Sequence, residues 1–312
     1  MPKQARILVL RGGAIGDFIL TVPAIQALRD RWPDAYIELV GYPHIANLAL
    51  AGGLVDHVES LDRAEIARFF ALRYALDERQ EEYIRSFDLV ISYLHDPDGS
   101  VRTNLLGAGA KQVVYGSPIV TQGHAIDHLM KPLEALAIYG ERPDPRLNLR
   151  GTQREEETKW LAQQGLAVRP VALHPGSGSP KKNWPLEGFI ELARRIRGSG
   201  AGAPFFVIGE ADADLAIMLA ELAADVPIVQ NHTLVELASV LAGCVAYVGN
   251  DSGITHLAAA LGIPVVALFG QGEPDRWGPR GPNVCILNAP DGDLAKLGVD
   301  QAWDAVERLL SS

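Results

Sequence analysis

RILVLRGGAIGDFILTVPAIQALRDRW, residues 6–32, passes from a short apolar run through a glycine-rich turn into apolar residues at helical spacing. A run this short, bounded by glycine, reads as a buried strand, and the segment after it as a helix. YIELVG (36–41) follows Pro33 and reads as a second strand ending in glycine. Strand, turn, helix and strand together open a parallel α/β sheet. FDLVISYL (87–94) and KQVVYG (111–116) supply further strands, and the charge-rich AEIARFFALRYALDERQEEYIRSF (64–87) reads as helical.

The second half starts again in the same manner. EEETKWLAQQGL (155–166) is amphipathic, RPVALHPG (169–176) is a strand entering a turn, and WPLEGFIELARRIRGSG (184–200) is a helix with proline near its start and glycine after its end. PFFVIGE, AYVGND and IPVVALFG then read as strands, and HTLVELASVLAGC and SGITHLAAALG as helices. Between the halves, GERPDPRLNLRGTQ (140–153) has two prolines, two glycines and no apolar period, which makes it the natural connector. The expected organisation is two domains, 1–150 and 151–312, with the last helix a candidate to pack back on the first. Ligands of such sheets lie at the carboxyl ends of the strands, so two facing units would place the cleft between them.

The totals narrow the field. The 312 residues are 48% hydrophobic and 21% charged, an ordinary globular composition in a chain long for one core. The net charge of −10 sets a nucleic-acid groove against the overall field, so no nucleic-acid partner is expected. Residues 1–150 carry 16 basic and 19 acidic side chains, the rest 12 and 19, which modestly favours an anionic partner on the first half. Cys244 and Cys285 lie in apolar sequence without a CxxC pair and read as reduced core thiols. The four apolar residues before Arg11 are too few for a signal or spanning segment, which points to the cytoplasm.

Three strand ends carry polar residues ahead of a helix, where unpaired backbone N–H groups and the helix dipole favour an anion. In Gly12-Gly13-Ala14-Ile15-Gly16-Asp17 a dinucleotide fingerprint fails, because Arg11 stands where GxGxxG needs glycine and no acid ends the second strand. Asp17 is either a first-turn acid of the helix or a carboxylate that takes a proton from an attacking hydroxyl. HPGSGSPKKNWP (174–185) could wrap phosphate oxygens with N–H and O–H donors while a lysine neutralises charge, or be a solvated turn. It lacks the Walker spacing. Asp251 and Ser252 are either a helix cap or, with His256 about a turn and a half away, part of a site. A Ser/His/Asp triad is unattractive because no GxSxG elbow occurs. Asp96-Pro97-Asp98, Asp212-Ala213-Asp214 and Asp291-Gly292-Asp293 lie in turn-like sequence, and no catalytic metal is expected.

R-GGAIGD-FILTVPAIQALR, HPGSGSPKKNWP, GND-SG-ITHLAAALGIPVVALFG and EPDRWGPRG, running in order from residue 6 to about 281, resemble glycosyltransferase family 9, the ADP-heptose:lipopolysaccharide heptosyltransferases. The resemblance implies a GT-B fold, two Rossmann-like domains with parallel sheets facing across a cleft. It implies acceptor binding by the first domain and donor binding by the second, inversion at the transferred centre, and no bound metal or other cofactor. Carried over, Asp17 is the base on the acceptor hydroxyl, with Gly12, Gly13 and Gly16 forming the acceptor-side loop. Ser177, Gly178, Ser179 and Lys182 contact the donor diphosphate, and Lys182 stabilises the departing charge. Glu210 receives the ribose, and Asp251, Ser252, Gly253 and His256 surround the donor sugar and phosphates. Arg11-Gly12-Gly13 departs from the family's more usual Arg-Leu/Phe-Ser, and the first half lacks a basic cluster for a phosphorylated core.

The function so implied is transfer of heptose from ADP-heptose to a lipopolysaccharide core or related glycan. A transferase of the same fold with another nucleotide sugar and a non-catalytic nucleotide-sugar binder are the alternatives. A lipid-linked or oligosaccharide acceptor makes peripheral contact with the inner face of the cytoplasmic membrane an expectation. AEIARFFALRYAL (64–76) is either its contact segment or an ordinary packed helix.

Overall fold

A computed structural model describes residues 4–63, 77–140, 143–149, 161–166, 168–209 and 212–311. Residues 64–76, the first half of EEETKWLAQQGL and part of the 140–153 connector lie outside them. The chain divides into two compact units, Met1–Asn148 and Leu149–Ser312.

In the first unit β1 (Arg6–Leu10), β2 (Tyr36–Gly41), β3 (His57–Ser60), β4 (Leu89–Ser92) and β5 (Val113–Tyr115) form one parallel sheet in the order β3-β2-β1-β4-β5. Ile7, Leu8, Val9 and Leu10 are buried because helices cover both faces of a parallel sheet. The first helix, Ile15–Arg31, buries an almost continuous run from Phe18 to Ile25 and holds Pro23 within it. A core of Leu8, Leu10, Val40, Phe87, Val90 and Leu105 fills one side of the sheet.

In the second unit β6 (Pro170–His174), β7 (Ala203–Val207), β8 (Ile228–Val229), β9 (Ala246–Asn250), β10 (Val265–Phe269) and β11 (Val284–Asn288) are ordered β11-β10-β9-β6-β7-β8. This is the doubly wound arrangement, in which the chain leaves the middle of the sheet in one direction and then returns to build the other side. The reversal lies between β6 and β9, paired with His174 opposite Gly249. The first unit reverses likewise between β1 and β4, with Leu10 opposite Ser92.

The closing helix, Val299–Ser311, places Ala302, Ala305 and Val306 in the second unit's own core beside Phe189, Ile196 and Val266. Its buried residues thus belong to the core of its own unit. Cys244 is buried and Cys285 half-buried, both as free thiols. Among the described residues no helix is long and apolar enough to cross a membrane.

Candidate active site

The reversals place two sets of loops at strand ends, one in each unit. In the first, β1 delivers Arg11, which is buried at 5% exposure. Its Nε donates to Thr21 Oγ1 at 2.8 Å, its Nη2 to the Asp17 carbonyl at 2.9 Å and its Nη1 to the Tyr93 carbonyl at 3.5 Å. The Thr21 hydroxyl donates to the same Asp17 carbonyl at 2.8 Å. One guanidinium therefore ties the end of β1 to the first turn of the helix and to the end of β4. Burial lowers its pKa, the Asp17 charge opposes that shift, and an arginine stays charged regardless.

Asp17 is the third residue of its helix. Oδ2 accepts the Ala14 N–H at 3.1 Å, Oδ1 lies 3.9 Å from Arg11 Nη2, and the side chain is 42% exposed. The capping contact and an accessible carboxylate thus coexist. Gly13 has φ +102°, and a Cβ there would stand 3.0 Å from Asp17 Oδ2. The conformation favours glycine at that position, and the space beside it is tight. Gly12 lies under Leu61 and Leu94, and Gly16 falls in the first helical turn.

In the second unit the strand end of β6 leads into the Gly/Ser/Lys loop. Asn250, fully buried at the end of β9, holds both ends of that loop. Its Nδ2 donates to the Pro175 carbonyl at 2.8 Å and its Oδ1 accepts the Trp184 N–H at 3.0 Å. Trp184 is anchored further by its indole N–H, which donates to the Leu297 carbonyl at 2.9 Å. Within the loop the Ser177 hydroxyl accepts the Ser179 N–H at 3.1 Å and stands 2.6 Å from both the Ser179 carbonyl and Asn183 Oδ1. Ser177 is therefore committed inside the loop, whereas Gly178 and Lys182 are exposed and Ser179 half-buried.

Lys182 reaches across to the next strand end, where its Nζ lies 2.6 Å from Asp251 Oδ2. Ser252 caps the helix Gly253–Ala260 by accepting the Thr255 N–H at 3.4 Å. Beneath it run linked hydroxyls: Tyr247 Oη is 3.1 Å from Thr255 Oγ1, which is 3.2 Å from Ser252 Oγ and donates to the Asn250 carbonyl at 2.5 Å. Ser252 Oγ is also 3.4 Å from Nδ1 of His174, whose burial pushes its pKa down to about 4, so the imidazole is neutral at neutral pH. His256 is on the same helix and buried at 6% exposure.

The structure thus gathers Lys182, Asp251 and Ser252 at the second reversal and sets Asp17 with Gly12 and Gly13 at the first. Glu210 lies outside the described residues. Asp212, two positions on, packs its carboxylate against Gly176 and accepts the Ser177 backbone N–H, while burial raises its pKa. Asp96 accepts the Val101 and Arg102 amides, each at 3.0 Å, and Asp293 accepts that of Ala295 at 3.0 Å. Those two acidic triplets include local caps. Among the described residues no group of three or more His, Cys, Asp or Glu gathers to hold a metal ion. Arg11, His174, Asn250 and Thr255 were not singled out from the sequence as site residues, although an arginine directly after one buried strand and an asparagine closing another were a usable signal.

Residues 110–303 match the model of glycosyltransferase family 9 (heptosyltransferase). Lipopolysaccharide heptosyltransferase 2 of Salmonella typhimurium is 37% identical over 92% of this chain and 89% of its own. Lipopolysaccharide heptosyltransferase 1 of Escherichia coli K12 is 34% identical over 97% of this chain and 100% of its own. Among solved structures, a family 9 glycosyl transferase from Veillonella parvula superposes with a TM-score of 0.82, at 22% identity over 100% of this chain and 99% of that one. The fold is the GT-B type, with two Rossmann-like units.

Proposed function

Because the chain belongs to glycosyltransferase family 9, we propose that it is an inverting transferase moving heptose from ADP-heptose to a lipopolysaccharide core or related glycan. One observation carries the donor half of this reading. The loop Ser177–Lys182 and the turn Asp251–Gly253 stand together at the β6–β9 reversal, joined by the Lys182–Asp251 pair. Open α/β sheets bind their ligands at such points.

In this scheme the acceptor oxygen attacks the anomeric carbon from the face opposite the nucleotide. The new C–O bond forms as the bond to the diphosphate oxygen breaks, and the electron pair leaves with ADP. Asp17 accepts the proton of the attacking hydroxyl. Lys182 and the N–H groups opening the helix Gly253–Ala260 take up the charge that develops on the diphosphate, without a metal ion. The working place is the cytoplasm, at the inner face of the cytoplasmic membrane when the acceptor is lipid-linked.

The test is calorimetry and turnover with ADP-heptose beside GDP- and UDP-sugars, each with and without EDTA. ADP release with a matching glycan product, unchanged by EDTA, is the expected result. A donor other than ADP-heptose, binding without turnover, or loss of activity on chelation overturns the corresponding part of the reading.

A further inference from the structure

Ser252 is half-buried at the start of the helix Gly253–Ala260, and the polar side chains of His174, Thr255 and Tyr247 packed around it are all buried. We propose that His174 is a positioning residue for the donor: its imidazole gives an Nδ1–H to Ser252 Oγ and so leaves the one hydroxyl hydrogen of Ser252 to an oxygen of the diphosphate. The inference rests on the donor reading above for its diphosphate, and its evidence lies in the second unit alone.

The direction of each hydrogen bond follows from what each group has to give. A hydroxyl donates once, and the Asn250 carbonyl can only accept, so the Thr255 hydrogen goes there, at 2.5 Å. Tyr247 Oη, 3.1 Å from Thr255 Oγ1, is then the donor of that pair, and burial pushes its pKa up so that the phenol keeps its proton. A Cβ at Gly249, which pairs with His174 across the sheet, would collide with Tyr247 Oη, so glycine there leaves room for the phenol. Thr255 Oγ1 also stands 3.2 Å from Ser252 Oγ and, with its hydrogen already given, can only accept. Ser252 accepts the Thr255 N–H at 3.4 Å, and its remaining neighbour is His174 Nδ1, also at 3.4 Å.

The imidazole therefore decides where the Ser252 hydrogen goes. Burial holds the His174 pKa near 4, so at neutral pH the ring carries one N–H and one bare nitrogen. A bare Nδ1 would draw the Ser252 hydrogen to itself, and the hydroxyl would meet a phosphate oxygen with lone pairs alone. With Nδ1–H, Ser252 Oγ accepts from both the ring and the Thr255 amide, and its hydrogen turns from Thr255 Oγ1 to the anion. Thr255 Oγ1 keeps the Tyr247 hydrogen throughout. An anion at the start of this helix selects that arrangement, because an O–H donor attracts it and a lone pair repels it. The 3.4 Å separation is long for such a bond, as is common in ligand-free sites whose hydrogen bonds tighten around the ligand.

The experiment uses the full chain with ADP as the probe and combines calorimetry with ¹⁵N NMR of the histidine rings. In the ADP complex the His174 ring should show a protonated Nδ1 and a bare Nε2, a result that needs no variant. Ser252→Ala and His174→Gln should each weaken ADP binding about tenfold, and the double variant should be no weaker than either single one, since both remove the same hydrogen bond. His174→Asn, whose amide N–H can stand where Nδ1–H stands, should bind ADP close to the wild type. A ring that only filled space would be replaced better by the larger glutamine, which reverses that order. ADP binding with a bare Nδ1, additive losses in the double variant, or His174→Gln binding as well as His174→Asn overturns the proposal and leaves the donor reading standing. A wild type that binds no ADP removes the donor reading and the proposal with it.

Discussion

Lys182 Nζ and Asp251 Oδ2 lie 2.6 Å apart, bridging two loops that are 69 residues apart in sequence. A diphosphate approaching Lys182 must therefore compete with a carboxylate for the same ammonium group.

Replacing Asp251 by asparagine removes that competitor. ADP affinity should rise by a few fold, on the order of the roughly 1 kcal/mol of an exposed pair, while glycosyl transfer falls. Lys182→Gln should lower turnover by about 10²–10³ by removing charge from the leaving group. The Lys182 side chain is half exposed, so Lys182→Gln should shift the urea midpoint little, whereas the Asp251 side chain is 14% exposed and Asp251→Asn should shift it more. Calorimetry with ADP and a coupled ADP-release assay check these outcomes.

Asp17→Asn keeps the shape of the first helical turn but cannot take a proton. Turnover should fall by about 10²–10⁴ with ADP affinity intact. Near-normal turnover would remove Asp17 from the role of base.

Asn250→Leu leaves the Trp184 N–H and the Pro175 carbonyl without their partner in a closed interior. Each loss costs about 1–3 kcal/mol, so the variant should unfold at clearly lower urea and lose donor affinity. Asn250→Asp retains an acceptor for Trp184 but no donor for Pro175, and should fall between the two. An unchanged midpoint for Asn250→Leu would show that the loop is held by other contacts.

His174 gives the fold an acid sensitivity with a defined sign. Its pKa of about 4 is below the ordinary 6.5, so between these values the unfolded chain binds a proton that the native fold refuses. The His174 contribution is complete above about pH 6.5 and declines as the pH falls toward 4, by up to about 3 kcal/mol. Denaturation midpoints from pH 7 to pH 4 should slope less in His174→Gln than in the wild type.

How much of this was legible in the sequence depended on where each strand sits. The central strands β1, β6, β9 and β10 are buried along most of their length and stand out as continuous apolar runs. Three edge strands, β3, β8 and β11, did not. β3 (HVES) and β11 (VCILN) have no fully buried residue and β8 spans two residues, so they produce no such run. The site divides in the same way. Asp17, Lys182 and Asp251 stand in short motifs, while the work of Asn250 is invisible locally because its partners lie 66 and 75 residues away. The competition between Lys182 and Asp251 is likewise a product of strand order, which brings β6 beside β9.

Arg11 grips the Asp17 main chain and the Thr21 hydroxyl, not the Asp17 carboxyl group, at hydrogen-bonding range. The three hydrogen bonds of Arg11 therefore do not use the Asp17 carboxylate, whose own bond within the loop is the one to the Ala14 N–H. The corner thus has two separate fastenings, a buried guanidinium that grips main chain and hydroxyl, and a partly exposed carboxylate that closes only the first turn, so substitution of the second leaves the first in place.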